Sequence, residues 1–342
     1  MEKAKLLHPD VITLDLLMPV LDGLQALQQI MRDRPCPVIM VSSLTHHGAE
    51  VTLEALGLGA FDCIAKEELF HAETPLAIEQ LLADRIEAAA RSPLCARRQS
   101  FRSPMADIPA ARPRQLSSKP SNGVPEIIAI GASTGGPKAL EQILMALPGD
   151  LPVPIVVVQH MPPGFTDALA QRLDSLCELR VRETRQGERI RPGTVYLAPA
   201  GKQMTLFSGS RESRSVCLSD SPSDTLHKPS VDVLMLSVAQ VFGDKALGVI
   251  LTGMGADGAK GMTSIYSSGG VTLGQDEATS AVYGMPRVCA AQGVLQKILP
   301  LGGIAGEILA AFQRQVARLK SHTTATGGLA PLLPSAALGT RA

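Results

Sequence analysis

The sequence predicts an α/β protein of two folded units, and three observations carry that expectation. The 342 residues exceed one ordinary domain of roughly 150 residues. Hydrophobic residues make up 45% of the chain but aromatic ones only 3%, with no Trp. The core must therefore be aliphatic, which suits Val- and Ile-rich strands buried under helices. Short apolar runs also alternate with helix-length segments on both sides of a stretch that has no hydrophobic period.

In the first block the apolar runs Val11 to Leu14, Val38 to Val41 and Cys63 to Ala65 read as strands. Gly23 to Arg32 and Ala49 to Leu58 lie between them as helices, and the amphipathic stretch from Pro75 to Arg91 closes the unit. From Ser92 to Pro125 the chain turns to Pro, Ser and Arg, which predicts a flexible basic linker.

The second block opens with the strand Glu126 to Gly131, followed by a glycine-rich turn and a helix from Pro137 to Leu147. Ile155 to Gln159 reads as a strand and Phe165 to Leu176 as a helix. Thr194 to Ala198, Gln203 to Phe207 and Ser215 to Ser219 read as short strands joined by polar turns. A helix (Val231 to Phe242), a strand (Ala246 to Thr252), a helix (Asp257 to Ser267), a strand (Val271 to Gly274) and a last helix (Ile304 to Lys320) complete a doubly wound parallel sheet with a β-rich insertion. The expected boundaries are 1–91 and 126–320 for the folded units, 92–125 for the linker and 321–342 for a disordered tail.

Composition excludes several classes. Lys plus Arg equals Asp plus Glu at 32 each, so no global field draws the chain to nucleic acid or an anionic membrane. The six cysteines, Cys36, Cys63, Cys95, Cys177, Cys217 and Cys289, show neither CxxC pairs nor zinc-ligand spacing, and the expectation is buried thiols in a reducing cytosol and no metal site. A start without a signal-peptide stretch, and no run of 18 apolar residues, predict a cytoplasmic protein.

Open α/β sheets work at the carboxyl ends of their strands. Three such places carry reactive side chains: Gly131-Ala-Ser133-Thr134-Gly135-Gly136, Gln159-His160, and Thr252-Gly-Met254-Gly-Ala-Asp257. Ser133 stands at a sharp strand-to-helix turn and needs a base. Of His160, His227 and His322, His160 follows a buried strand directly, whereas His227 lies in a polar loop and His322 in the tail. Asp257 is the strand-end carboxylate able to fix the imidazole, and the amides of the turns around Ser133 and Met254 can supply an oxyanion hole. Each piece has a plain structural reading as well. The glycine-rich turn could cap a helix or cradle a phosphate, His160 could be a strand-end histidine, and Asp257 could be an N-cap. No Gly-Lys-Ser/Thr follows, which excludes a nucleotide P-loop. The order Ser, His, Asp also differs from that of α/β-hydrolases.

The stretches IAIGASTGGPKAL (128–140), VVVQHMPPGFT (156–166), VYLAPAGKQM (195–204), HKPSVDVLM (227–235), GVILTGMGADGAKGM (248–262) and QDEATSAVYGMP (275–286) together resemble the chemotaxis protein-glutamate methylesterases. In that family a receiver domain is joined by a linker to a methylesterase domain. The resemblance implies Ser133 as nucleophile, His160 as base and Asp257 as its orienting partner. It implies Thr134 and the Met254 amide as oxyanion donors and His227 near the substrate groove. The Gln275 to Pro286 segment lies either near that groove or in packing. The implied reaction is hydrolysis of glutamyl methyl esters on chemotaxis receptors, often with glutamine deamidation, without cofactor or metal at this site. A receptor-binding adaptor with a vestigial site is the non-enzymatic alternative; a transcription factor is disfavoured because no helix-turn-helix or basic recognition surface follows the linker.

Val-Ile-Thr-Leu-Asp15-Leu-Leu-Met-Pro, Val-Ser42-Ser43 and Ala-Lys66 resemble the phospho-acceptor, hydroxyl and lysine positions of a flavodoxin-like receiver; an Asp–Lys salt bridge is the plain alternative. The resemblance implies a histidine kinase as phosphodonor, receptors as partners with the membrane reached only through them, and Mg²⁺ for phosphorylation. This sequence starts beyond the family's first strand and its acidic pair, so an N-terminally truncated receiver is expected. Asp10 precedes a strand and cannot substitute, and Glu67 stands where the family has proline. A hard cation wants several carboxylate oxygens, and Asp15 alone argues against switching by phosphorylation in the ordinary way.

Overall fold

A computed structural model describes residues 2–43, 45–67, 75–92, 124–209 and 213–312. The N-terminal unit runs α1 (Glu2–Leu7), β1 (Ile12–Asp15), α2 (Gly23–Asp33), β2 (Val38–Ser42), α3 (His46–Gly57), β3 (Asp62–Ala65) and α4 (Pro75–Ala90). Its strands form a parallel sheet in the order β1-β2-β3, with Asp15 opposite Val41 and Ser42 opposite Ala65. Asp15, Ser42 and Lys66 therefore gather at one edge of the sheet. The two interior helices are started by side chains: Asp22 accepts from the Gln25 N–H and Thr45 from the Gly48 N–H, which satisfies donors the first turn leaves free. Helix α1 is not anticipated by the sequence. It is six residues long and buries none of them, so it has no apolar period to read.

The C-terminal unit is a seven-stranded parallel sheet. Its strands are β4 (Ile127–Ala132), β5 (Ile155–Gln159), β6 (Arg180–Glu183), β7 (Thr194–Leu197), β10 (Ala246–Ile250), β11 (Val271–Gln275) and β12 (Lys297–Leu299), in the order β12-β11-β10-β4-β5-β7-β6. The chain begins this sheet at β4, winds outward through β5, and later returns beside β4 as β10. That reversal opens a crevice where β4, β5 and β10 end. One face is covered by α5 (Gly136–Leu144), α6 (Phe165–Leu176) and a helix over 301–312. The other is covered by α7 (Val231–Phe242), α8 (Ala259–Ser267) and α9 (Met285–Ala291). The antiparallel hairpin of β8 (Gln203–Ser208) and β9 (Arg214–Ser219) lies against α7, where the Leu206 N–H donates to Ser237 Oγ at 3.0 Å.

Several expectations need correction. Strand β6 reads Arg-Val-Arg-Glu and buries only one side chain, and β12 has three residues; neither presents an apolar run. Helix α9 carries a proline in its first turn behind Gly284, a pair that reads as a loop although proline suits a helix start. Helix α8 begins at Ala259 rather than Asp257 because Gly258, at φ 96°, is its N-cap, and α5 ends at Leu144 rather than Leu147. Cys36, Cys63 and Cys289 are buried as expected, but Cys177 and Cys217 are half-buried. Cys95, His322, most of the expected linker (93–123), the end of the last helix (313–320) and the tail lie outside the described residues. Among the described residues, no helix is long and apolar enough to cross a membrane.

The two units share a contiguous apolar core in which Leu53 and Leu56 of α3 join Leu140 and Leu169. Helix α3 packs on α6, and a methyl group added at Gly57 would stand 2.9 Å from the Arg172 guanidinium. The crevice of the larger sheet thus faces the smaller unit.

Candidate active site

Ser133, His160 and Asp257 each follow a strand of the larger sheet: β4, β5 and β10. Ladder register places the first two side by side, because Ala132 pairs with Gln159 and the His160 N–H donates to the Ala132 carbonyl at 3.0 Å. The Ser133 N–H donates to the Thr252 carbonyl at 3.0 Å, tying the β4 turn to the β10 turn. Gly253 makes room for that approach: a Cβ there would sit 2.7 Å from Ser133 Cβ. Gly135, at φ 77°, is the N-cap of α5 and turns the chain away beyond Ser133.

Asp257 bonds His160 Nε2 through Oδ2 at 2.9 Å, with both side chains nearly buried. Its carboxylate also accepts from Ser230 Oγ at 2.9 Å and from the N–H groups of Val231 at 2.8 Å and Asp232 at 2.9 Å. The plain reading of Asp257 as a helix cap therefore holds in part, but for α7 rather than α8. Burial alone would push this carboxyl up. The bond and charge of His160 and the N–H groups at the start of α7 outweigh it and hold the pKa down at about 2. An anionic carboxylate can only accept, so a neutral His160 keeps its proton on Nε2 and its lone pair on Nδ1. That Nδ1 is buried and has no hydrogen-bond partner.

The crevice is a cavity of about 290 Å³ lined by Ser133, Thr134, His160, His227 and Met254 together with Asp62 and Arg85 of the N-terminal unit. It gathers Ser133, His160 and the three residues expected near the oxyanion or substrate, while Asp257 bonds His160 from outside that lining. The His227 ring stacks on His160 with centroids 4.0 Å apart. Burial, then the neighbouring His160 and Arg85, depress the His227 pKa to about 4, against a partial counter-pull from Asp257; His227 is neutral at ordinary pH. The Thr134 hydroxyl donates to Asp62 Oδ2 at 3.1 Å, and Asp62 also pairs with Arg85 at 3.1 Å. These two residues were not legible as site residues, because only the packing of one unit on the other brings them there.

The Gln275 to Pro286 segment braces the β10 turn. Gln275 Oε1 accepts from the Thr252 N–H at 2.8 Å, and the Gly253 N–H donates to the Val282 carbonyl at 3.0 Å. Packing accounts for those bonds.

At the carboxyl edge of the smaller sheet, Lys66 Nζ lies 2.7 Å from Asp15 Oδ2, and Asp15 Oδ1 accepts from the Leu17 N–H at 3.2 Å. The buried Ser42 hydroxyl bonds the carbonyls of Ser43 at 3.3 Å and Gly48 at 3.4 Å. A receiver's Mg²⁺ would need further carboxylate oxygens here. Asp15 has one oxygen on a cation, and no group of three His, Cys, Asp or Glu side chains among the described residues is placed to hold a metal. The described residues do not fit that ion.

Known proteins resemble this chain over most of its length. Residues 128–308 match the CheB methylesterase family and residues 1–72 the response regulator receiver domain. A protein-glutamate methylesterase/protein-glutamine glutaminase of Salmonella typhimurium is 44% identical over 306 residues, covering 90% of this chain and 84% of that protein. One of Desulfitobacterium hafniense is 41% identical, covering 92% and 88%. The crystal structure of the Thermotoga maritima CheB methylesterase catalytic domain superposes with a TM-score of 0.53 at 40% identity, covering 54% of this chain and 98% of that one. On these matches, the chain belongs to the CheB methylesterase family and joins a response regulator receiver domain to a methylesterase domain.

Proposed function

We propose that this chain is a protein-glutamate methylesterase that also deamidates glutamine, acting on chemotaxis receptors through an acyl-enzyme at Ser133. Ser133 Oγ attacks the γ-carbonyl carbon of a glutamyl methyl ester while its proton passes to His160 Nδ1. Asp257 offsets the imidazolium charge, and the Thr134 hydroxyl and the Met254 amide receive the oxyanion. The tetrahedral intermediate collapses, the methoxy oxygen takes the proton from His160 and methanol departs. Water then attacks the acyl group, giving its proton to His160, which returns it to Ser133 as glutamate leaves. With glutamine the leaving group is ammonia. Proton relay is worth roughly 10² to 10⁴ in rate and one oxyanion donor about 10² to 10³.

The observation that carries this reading is the 2.9 Å bond from Asp257 to His160 Nε2, with the opposite ring nitrogen left without a partner in a cavity that Ser133 also lines. Residues 126–320 form the catalytic domain in this reading. Residues 1–91 form a cover packed over the site, and 92–125 join the two. The presence of Asp62 and Arg85 in the catalytic cavity supports the cover role.

The test is methanol release from methylated receptor. Ser133→Ala should lose on the order of 10⁴-fold or more, and release that persists in that variant rejects the assignment.

A further inference from the structure

Where β4 and β5 end, their ladder stops and both backbones turn away, and one side chain spans the gap. Gln159 is 1% exposed, and its Nε2 donates to the Ser133 carbonyl at 2.9 Å and to the His160 carbonyl at 3.0 Å. Those carbonyls belong to the proposed nucleophile and base. A single primary amide thus supplies the rung the ladder would otherwise lack.

The orientation of that amide is fixed by chemistry. Reversing it would set Oε1 against two carbonyl oxygens, whereas the present orientation leaves Oε1 buried without a partner, which itself costs free energy. An unsatisfied acceptor is retained because the two donors are needed on the other side. Helix α5 accommodates the arrangement at Gly136, where a Cβ would fall on Gln159 Oε1 and stand 2.8 Å from Ala132 Cβ. The first residue of a helix gains nothing locally from glycine; here glycine admits the amide.

We propose that Gln159 is a positioning residue that fixes the separation of Ser133 and His160 by holding both of their carbonyls, an inference that rests on the triad reading above. Gln159 borders the cavity but is buried with its amide donors turned to the two carbonyls, so it governs the proton-transfer geometry of the bound complex rather than substrate affinity. Misplacement of about 1 Å at such a site costs on the order of 10²-fold.

The test uses the full chain and methanol release from methylated receptor. Gln159→Met fills the space without donors; kcat should fall roughly 10- to 100-fold with KM unchanged, by the same factor at every pH. Gln159→Glu should differ in kind. Its buried carboxyl regains one donor when protonated, so its rate relative to the parent should climb as pH falls from about 8 to about 6. Gly136→Ala, which leaves Gln159 in place but displaces its amide, should repeat the kcat loss and serves if neither Gln159 variant unfolds cooperatively. Parent-like kcat in any folded variant, a loss confined to KM, or a pH-independent ratio for Gln159→Glu overturns the proposal. Ser133→Ala separates the two levels. A silent Ser133→Ala beside parent-like Gln159 variants overturns the positioning role alone, whereas an active Ser133→Ala overturns the triad on which it rests.

Discussion

Thr134 Oγ1 donates a 3.1 Å hydrogen bond to Asp62 Oδ2, so the hydroxyl next to the proposed nucleophile is held by a carboxylate from the other unit. Asp62 is in turn held by Arg85 at 3.1 Å. A carboxylate is also what the proposed reaction leaves behind, so Asp62 sits on Thr134 much as product would. Asp62→Ala should therefore raise basal methanol release several-fold in the unmodified chain. Unchanged or lower activity in a variant that still unfolds cooperatively would argue that this contact is only structural.

The proposed role of Asp257 would tie catalysis to acid stability. Its pKa is held at about 2, below the ordinary 3.8, so the unfolded chain binds more protons between those values. The stabilisation, on the order of 2 kcal/mol, is fully present above about pH 4 and is lost as pH falls toward about 2. Asp257→Asn should cut kcat on the order of 10⁴-fold. Thermal unfolding followed from about pH 5 downward should show a shallower decline in the variant than in the parent, and equal slopes would contradict the assignment.

His227 has the opposite sign in charge but the same direction in pH. Its pKa falls from 6.5 to about 4 on folding, so between those values the unfolded state takes up the proton and stability is lost as pH drops. His227→Phe keeps a ring against His160 and removes the titration. Its melting temperature should fall less than the parent's from about pH 6.5 to about pH 4; parallel curves would refute the burial account.

Gly253→Ala tests how tightly the turns interlock. The added methyl would lie 2.7 Å from Ser133 Cβ and would also meet Met285 Sδ. The thioether can swing aside, but the Cβ of the proposed nucleophile cannot move without moving Oγ. A kcat loss on the order of 10²-fold is expected, read by steady-state methanol release with melting temperature as the control for folding.

The alternation of apolar runs with helix-length segments fixed the class of both units and most strand positions, because a parallel sheet buried on both faces writes itself as short Val/Ile runs. Ser133 and His160 were legible for a related reason, since each stands at the end of such a run, and Asp257 lies in the turn that follows a third. The remaining elements carry no sequence signal for physical reasons. Strand β6 has three charged residues in four, β12 is too short for any period, and α9 hides behind Gly284 and Pro286. Asp62 and Arg85 carry no local signal at all, since their place at the cavity depends on one unit resting on the other. The role of Asp257 as a cap for α7 was equally hidden, because the helix it caps lies 26 residues earlier in the chain.

Leu56 is buried where α3 meets the larger unit, and it borders both the cavity lined by Ser133 and His160 and a second cleft beside Gly135 and Ala281. Separation of the units would wet that one side chain from two sides. Since the chain has no Trp, an indole placed at this position would emit without background, and the colour of its fluorescence would report the opening directly.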